Sequence, residues 1–459
     1  MTHLLRFTFV LAAVPLAACA TAGAVAPPQA PASPAAWSRP SGQADAPADD
    51  LSRWWERLGD PVLSETIEQA LTASPDVRSA LARLKQARAQ RALAGANRLP
   101  SVSGSVSGSL SKRGESDATG SVSTGIDASW EPDVFGRLTA AVQAAEADLA
   151  ATREDLRNAQ VLLAAEVGVN YVDLRSFQER LRIAQANLAT QAETLQLTEW
   201  RAQAGLVSSV DVEQARANLA QTRSQIPSLQ TSIEQTEHRL AVLAGLAPTA
   251  LKTRLEQPGP VPAPPDAIAV GIPAETLRQR PDVRAAEQQV VAATARLAQA
   301  RAARYPSFSL RGSIGTDTVT GALTGGTSVI ASLVGSAIQT IFDGGRIRQQ
   351  IAIQDAAQEQ AVVAYESAVL TALEEVENAL VAIEKNRERI AALTTSVEAS
   401  RNAASLARQQ YQAGLADFQT VLDTERSVLS AEDSLANTQA SRTTAVIQLY
   451  KALGGGWRS

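Results

Sequence analysis

The sequence is poor in what most binding and catalytic chemistry needs. Of 459 residues, one is Cys and two are His, which excludes a disulfide framework and any metal site built from several Cys or His. Aromatics are only 4%, too few for a thick globular core, whereas Ala is frequent enough for narrow contacts between helices. Charged residues make up 19% and the net charge is −5, with no basic run suited to phosphate backbones, so nucleic acid is not an expected partner. The apolar stretch Phe7–Ala18, about 12 residues, is too short to span a bilayer. His238 stands alone, and the Ser-rich segments carry no His or Asp arranged to activate a nucleophile. Around Gly245 to Thr253, Ala250 replaces the second Gly of a phosphate loop. No catalytic residue, cofactor or metal ligand is expected.

What is present starts at the N-terminus. Arg6 followed by the apolar stretch makes residues 1–18 read as a secretory signal. It ends Leu16-Ala17-Ala18-Cys19, and small residues before the one Cys are what a lipoprotein signal peptidase reads. Cys19 is therefore the expected lipidation site, and more than one acyl chain there gives stable anchoring. By resemblance to bacterial lipoproteins, Ala20 after that Cys implies sorting to the outer membrane. Residues 19–50 are Ala/Pro-rich and read as a lipidated tether.

Two rods dominate the rest. From Arg346 to Ala413 there is neither Gly nor Pro, and Val376, Ile383, Ile390, Val397, Ala404 and Tyr411 recur every seven positions. Between Gly136 and Ala204 the one Gly is Gly168, no Pro occurs, and Val167, Leu174, Leu181, Leu188 and Leu195 form a second such row. Period seven over this length predicts helices packed in coiled-coil fashion, each about 100 Å long. Both rods end alike, in Ala204-Gly205-Leu206 and Ala413-Gly414-Leu415, where a left-handed Gly closes a helix. A periodic helix follows each, so two antiparallel hairpins are expected over 136–245 and 345–453. Pro227 should kink the first return helix.

Before each hairpin the period changes to two. Val102, Val106 and Leu110 alternate with Ser, as do Val122, Ile126 and Trp130 after a polar turn. Strands are expected at about 101–110 and 121–130, and again at about 307–316 and 328–342, the last with unclear facing. The loops between them are expected near Ser111–Gly120 and Asp317–Thr327, with Trp130 at the opposite interface. Shorter helices are expected over Ser64–Thr72 and Pro75–Asn97. The chain repeats itself: Ser74-Pro75-Asp76-Val77-Arg78 returns as Arg280-Pro281-Asp282-Val283-Arg284 at an offset of 206, and Gly136-Arg137 as Gly345-Arg346 at 209. This divides the chain into repeat 1 (51–247), an extended Pro-rich linker (248–272) and repeat 2 (273–459). Four strands cannot close a barrel, and an open edge cannot face lipid, so the chain must oligomerise into eight strands or twelve. Twelve helices spaced about 10 Å apart on a ring enclose a lumen of roughly 25–30 Å.

The combination Trp54-Trp55…Asp60-Pro61, Arg280-Pro281-Asp282-Val283-Arg284-Ala285-Ala286-Glu287, Ala302-Ala303-Arg304-Tyr305-Pro306 and Tyr450-Lys451-Ala452-Leu453-Gly454-Gly455-Gly456-Trp457 resembles the outer-membrane factor (TolC-like) family. With Cys19, the likeness is to its lipoprotein branch of the OprM and NodT efflux type. The resemblance implies a mixed α+β membrane protein: a long α-helical coiled-coil barrel plus a transmembrane β-barrel, twelve-stranded in a homotrimer. It implies a lipid-anchored, membrane-spanning outer-membrane protein extending into the periplasm. Its role would be the exit duct of a tripartite efflux pump, meeting a periplasmic adaptor and an inner-membrane transporter. The tips Gly205, Leu206, Gly414 and Leu415 would face the adaptor. Within Tyr411–Arg426, Asp423 and Arg426 match the family's charged gate positions and Tyr411 its aromatic one. Asp417 and Gln419 belong to the same segment, Gln419 standing where the OprM type has Leu. Glu213 and Arg216 echo the Asp423–Arg426 spacing in repeat 1. The rival readings are a non-conducting coiled-coil lipoprotein scaffold of the envelope, the adaptor itself and an enzyme; the barrel-like strands disfavour the first, the duplicated hairpins with those strands the second, and the lack of any catalytic constellation the third.

Overall fold

The same order of elements runs twice along the chain. The computed structural model describes residues 34, 36–38, 51–112, 114, 118–265, 273–320 and 326–457. Cys19, the signal segment 1–18 and nearly all of the tether 19–50 lie outside the described residues. The first pass is α1 (Pro61–Ala73), α2 (Pro75–Ala96), β1 (Ser101–Ser111), β2 (Thr119–Trp130), α3 (Arg137–Gln203) and α4 (Ser209–Leu243). A short helix, α5 (Lys252–Leu255), follows. The second pass is α6 (Pro273–Gln279), α7 (Pro281–Ala302), β3 (Ser307–Thr320), β4 (Gly326–Ile338), α8 (Arg346–Gln412) and α9 (Phe418–Ala452). α3 and α8 are each 67 residues long, and α4 and α9 each 35. Equal lengths in equal order are what a duplicated unit leaves behind. α4 continues as a helix through Pro227.

The chain divides into two compact units. The described part of one is Arg91–Ala145 with Val291–Gln358. It contains one antiparallel sheet in the order β1-β2-β3-β4. Its register puts Val102, Val106, Leu110, Val122, Ile126, Leu310 and Ile314 on one face and the Ser residues on the other. The polar face is laced by hydroxyl pairs, Ser101–Ser129 at 2.8 Å, Ser309–Ser336 at 2.7 Å and Ser313–Ser332 at 2.7 Å. The facing of β4 follows from pairing: Val329, Ala331, Leu333 and Ala337 share the apolar face, and Ser328, Ser332 and Ser336 the polar one. Ile330, Val334 and Ile338 sit among those serines, which is what blurs the alternation. Two expectations are corrected here. β4 ends at Ile338 rather than 342, because Gly344 and Gly345 turn the chain and Asp343 accepts from the amides of Gly345 and Ile347 to start α8. Asp317 lies inside β3, opposite Ser123 and Ser328, and not in a loop. The Trp130 indole donates to the Arg98 carbonyl at 3.0 Å. Among the described residues β1 and β4 have no strand on their outer edges. The apolar face is bare, with Val106, Leu110 and Leu333 each more than three-quarters exposed.

The other unit lies within Pro28–Gln90, Glu146–Val290 and Glu359–Ser459, and its described residues are mainly helical. Its core is anchored by Trp54 and Trp55, both buried, with Trp54 stacked on Tyr450 at 5.5 Å. Asp60 caps α1 by accepting from the amides of Val62 and Leu63, while its other oxygen accepts the Tyr171 hydroxyl at 2.7 Å. Buried Arg175 donates to that same hydroxyl and to the Gln257 carbonyl. The stretch after Pro248 is therefore not an extended linker as far as residue 265. Leu251 and Leu255 are buried, and Gln178 and Thr443 donate to the carbonyls of Leu255 and Pro262. Proline removes donors but leaves acceptors, so a Pro-rich strap packs through its carbonyls.

Gly168 breaks the rod pattern for a packing reason. A Cβ there would stand 2.9 Å from the Trp54 ring and 3.2 Å from Ile447. Gly→Ala in an open helix gains about 0.5–1 kcal/mol. Gly168→Ala is expected to lose stability instead, seen as a lower thermal midpoint of the purified protein in detergent.

Candidate functional site

Both hairpin tips are built by one device. Gly205 has φ 72° and Gly414 φ 75°, the left-handed region that glycine enters without a steric cost. The Leu206 amide donates to the Arg201 carbonyl at 2.8 Å and Gly205 to Ala202 at 2.9 Å. At the second tip Leu415 donates to Gln410 at 2.8 Å and Gly414 to Tyr411 at 3.0 Å. These paired bonds satisfy the last carbonyls of α3 and α8. The turns push Leu206 and Leu415 outward, 66% and 80% exposed. The return helices then start on different caps. Ser208 and Asp211 form a reciprocal capping box, whereas Asp417 accepts from the Thr420 amide at 2.9 Å and its hydroxyl at 2.6 Å. Those bonds, the Thr420 hydroxyl first, hold the Asp417 carboxyl below its ordinary range. The structure thus assigns Asp417 to starting α9.

Tyr411 is not an exposed gate aromatic within the protomer. It is 1% exposed, with its ring edge-on to Phe418 at 6.0 Å and under the Arg201 guanidinium at 4.5 Å. Arg201 also donates to the Tyr411 carbonyl, and the Tyr411 hydroxyl donates to Thr198 at 3.3 Å. Its heptad row carries it into the tip's own core with Val421 and Leu422.

Asp423 and Arg426 are exposed on α9, but among the described residues they do not pair with each other. Asp423 accepts from Gln419 at 2.9 Å, one turn earlier. Arg426 donates to Asn218 of α4 at 3.0 Å. The apparent echo in repeat 1 is out of register. α4 begins at Ser209 and α9 at Phe418, so Gln214 and Ala217 occupy the places of Asp423 and Arg426. Glu213 and Arg216 instead make a surface pair at 2.7 Å, with Glu199 at 3.2 Å from the same Arg. Among the described residues no cluster of His, Cys, Asp or Glu suits a metal ion, and no helix is long and apolar enough to cross a membrane.

The family model for "Outer membrane efflux protein" matches residues 66–246 and 272–455. The chain belongs to the outer membrane efflux protein family. A pyoverdine export outer membrane protein, OpmQ of Pseudomonas putida, is 35% identical over 456 residues, covering 97% of this chain and 96% of that one. Nodulation protein T of Rhizobium leguminosarum bv. trifolii is 32% identical, covering 98% and 97%. Among solved structures, the outer-membrane channel OprN superposes with TM-score 0.85 at 37% identity, covering 94% of this chain and 98% of that chain. This efflux protein is accordingly an outer-membrane channel protein of mixed α+β class, internally duplicated, from a family of transport channels. The bare apolar face of its sheet is the surface such a protein turns to lipid.

Sequence reasoning missed the ties between the hairpins of this efflux protein. Glu425 of α9 accepts from Thr194 of α3 at 2.6 Å and lies 3.5 Å from Arg408 of α8. Glu432 of α9 accepts from Asn187 of α3 at 3.0 Å and from Arg401 of α8 at 2.8 Å. Arg180 of α3 meets Asp433 at 2.6 Å. Each member of the first set stands seven residues from its counterpart in the second. That heptad signal was in the sequence, but spread over three helices whose alignment only the fold supplies.

Proposed function

We propose that this chain is the outer-membrane exit duct of a tripartite efflux pump, passing small molecules from periplasm to exterior through a homotrimeric tunnel closed at its periplasmic tip. In this reading Cys19 carries the lipid, and three copies unite their four-stranded sheets into twelve strands. The tips around Leu206 and Leu415 meet a periplasmic adaptor, and an inner-membrane transporter selects the cargo. Relatives are named for exporting pyoverdine and for efflux of solvent and toluene, so one scaffold serves unlike cargo.

One observation carries the gate. The Asp423 carboxylate is exposed near the tip and is held by a neutral amide, with no cation against it among the described residues. Three such carboxylates brought round an axis favour cations and can pair with Arg426 of neighbouring copies. Arg426 keeps guanidinium donors to spare after its bond to Asn218. Single-channel recording in planar bilayers tests this. A small, mostly closed, cation-preferring conductance is expected, with Asp423→Ala opening it and sensitising cells to large antibiotics. A pore that ignores the substitution removes Asp423 from the gate. A folded oligomer with no conductance in either form turns the reading to the structural lipoprotein scaffold.

A further inference from the structure

Glu425 is the odd member of the ladder between the hairpins. Its counterpart Glu432 is held by two firm donors, Asn187 at 3.0 Å and Arg401 at 2.8 Å. Glu425 is 4% exposed, yet among the described residues its one close donor is the neutral Thr194 hydroxyl, while Arg408 stands off at 3.5 Å. The Arg408 Nε is itself buried without an acceptor among the described residues. Glu425 also occupies a particular place: at the repeat offset it matches Arg216, which is solvent-exposed in repeat 1.

We propose that Glu425 is a positioning residue of the channel tip whose proton occupancy sets how firmly the second hairpin is held against the first. This rests on the duct reading above. Glu425 lies two residues from Asp423 on α9, so anything that moves α9 away from α3 also moves the Asp423 carboxylate.

The direction follows from burial. Burial pushes the Glu425 carboxyl above the ordinary glutamate value of 4.5, against the opposing pull of Thr194 and Arg408. The charged groups sharing its groove are Arg401 and Arg408 of α8 and Glu432 of α9. α3 contributes Asn187, Thr190 and Thr194, none of which titrates, and α4 contributes no residue to that groove. When α9 leaves α3, Glu425 meets water and its hold on the proton relaxes. The joined state therefore binds the proton more tightly than the parted state. Acid closes the clasp. As pH rises above 4.5 and through the raised value, the joined state loses ground by up to about tenfold per pH unit per copy.

The test is single-channel open probability against pH for the full-length lipidated protein in planar bilayers, with Asp423→Ala beside it. Wild type should open more often as pH rises across this window. Glu425→Gln keeps an oxygen for Thr194 but cannot ionise, so its profile should lie flat at the low, acid-like level. Thr194→Val removes a bond that favours the ionised carboxyl, and should move the midpoint to higher pH. A Glu425→Gln channel with the wild-type pH profile overturns the proposal, as does a Thr194→Val midpoint that stays put. Silence of both wild type and Asp423→Ala would sink the duct reading itself, a result distinct from a conducting channel indifferent to Glu425.

Discussion

Alanine at Arg280 is expected to cost about 3–5 kcal/mol, the range for breaking a buried ion pair from one side. Arg280 is 5% exposed at the start of α7. It donates to Asp282 at 2.7 and 3.0 Å, to Glu375 of α8 at 2.7 Å and to the last α9 carbonyl, that of Ala452, at 2.8 Å. One guanidinium thus joins three helices, and its removal leaves the Asp282 carboxylate without its cation, while Glu375 keeps Lys451 at 3.1 Å. Burial alone would raise the Asp282 carboxyl, but Arg280 outweighs it and the net shift is downward. A lowered carboxyl stabilises the fold above its ordinary value of 3.8, and that contribution fades as pH falls through the lowered value. The gap between wild type and Arg280→Ala should therefore be widest at neutral pH and shrink in strong acid. Thermal denaturation of both proteins across pH measures this; a gap that widens in acid would refute the account.

The second large loss should come from Trp54→Ala, about 3–5 kcal/mol for a buried aromatic cut to a methyl. Trp54 is fully buried, edge-on to Trp55 at 5.7 Å and stacked on Tyr450 at 5.5 Å. The informative part is a double substitution. Once the ring is gone, the nearer obstacle to a methyl at residue 168 is gone, and the Ile447 side chain at 3.2 Å has emptied space to give way into. Gly168→Ala should then change sign and stabilise the Trp54→Ala background by up to about 1 kcal/mol. The two changes share a contact and should not add. Strict additivity in a denaturation cycle would mean that Gly168 is there for some other reason.

How much of this was legible beforehand depended on whether a feature lived on one element. Period two in Val102 to Leu110 sufficed to place β1, because its faces are cleanly sorted. β4 resisted, since Ile330 and Val334 stand among serines and only its pairing with β3 tells the faces apart. The seven-residue rows are helical as read, and the row ending at Tyr411 buries Val376, Val397, Ala404 and Tyr411 itself. That burial is why a residue matched to a gate position turns out to hold the tip's core. Asp423 and Arg426 stay unpaired with each other among the described residues for another reason. Spacing of three on a helix permits contact but does not oblige it, and Gln419 and Asn218 offered neutral partners instead. The motif around Arg280-Pro281-Asp282 was visible as a word, but its meaning lay 95 residues away at Glu375.

The two bare edges of the sheet have a genetic consequence. A strand edge cannot rest in hydrocarbon with its amides and carbonyls unmet, so in the proposed homotrimer β1 and β4 are each met by another copy. Copies in a closed ring are links in series. A chain with a sound β1 and a ruined β4 still enters a ring, and then prevents it from closing. Produced alongside the intact protein, it should spoil assemblies that outnumber its own share of the subunits. An edge lesion of this kind is expected to be dominant, whereas loss of the whole chain, which leaves the intact copies free to find one another, is expected to be recessive.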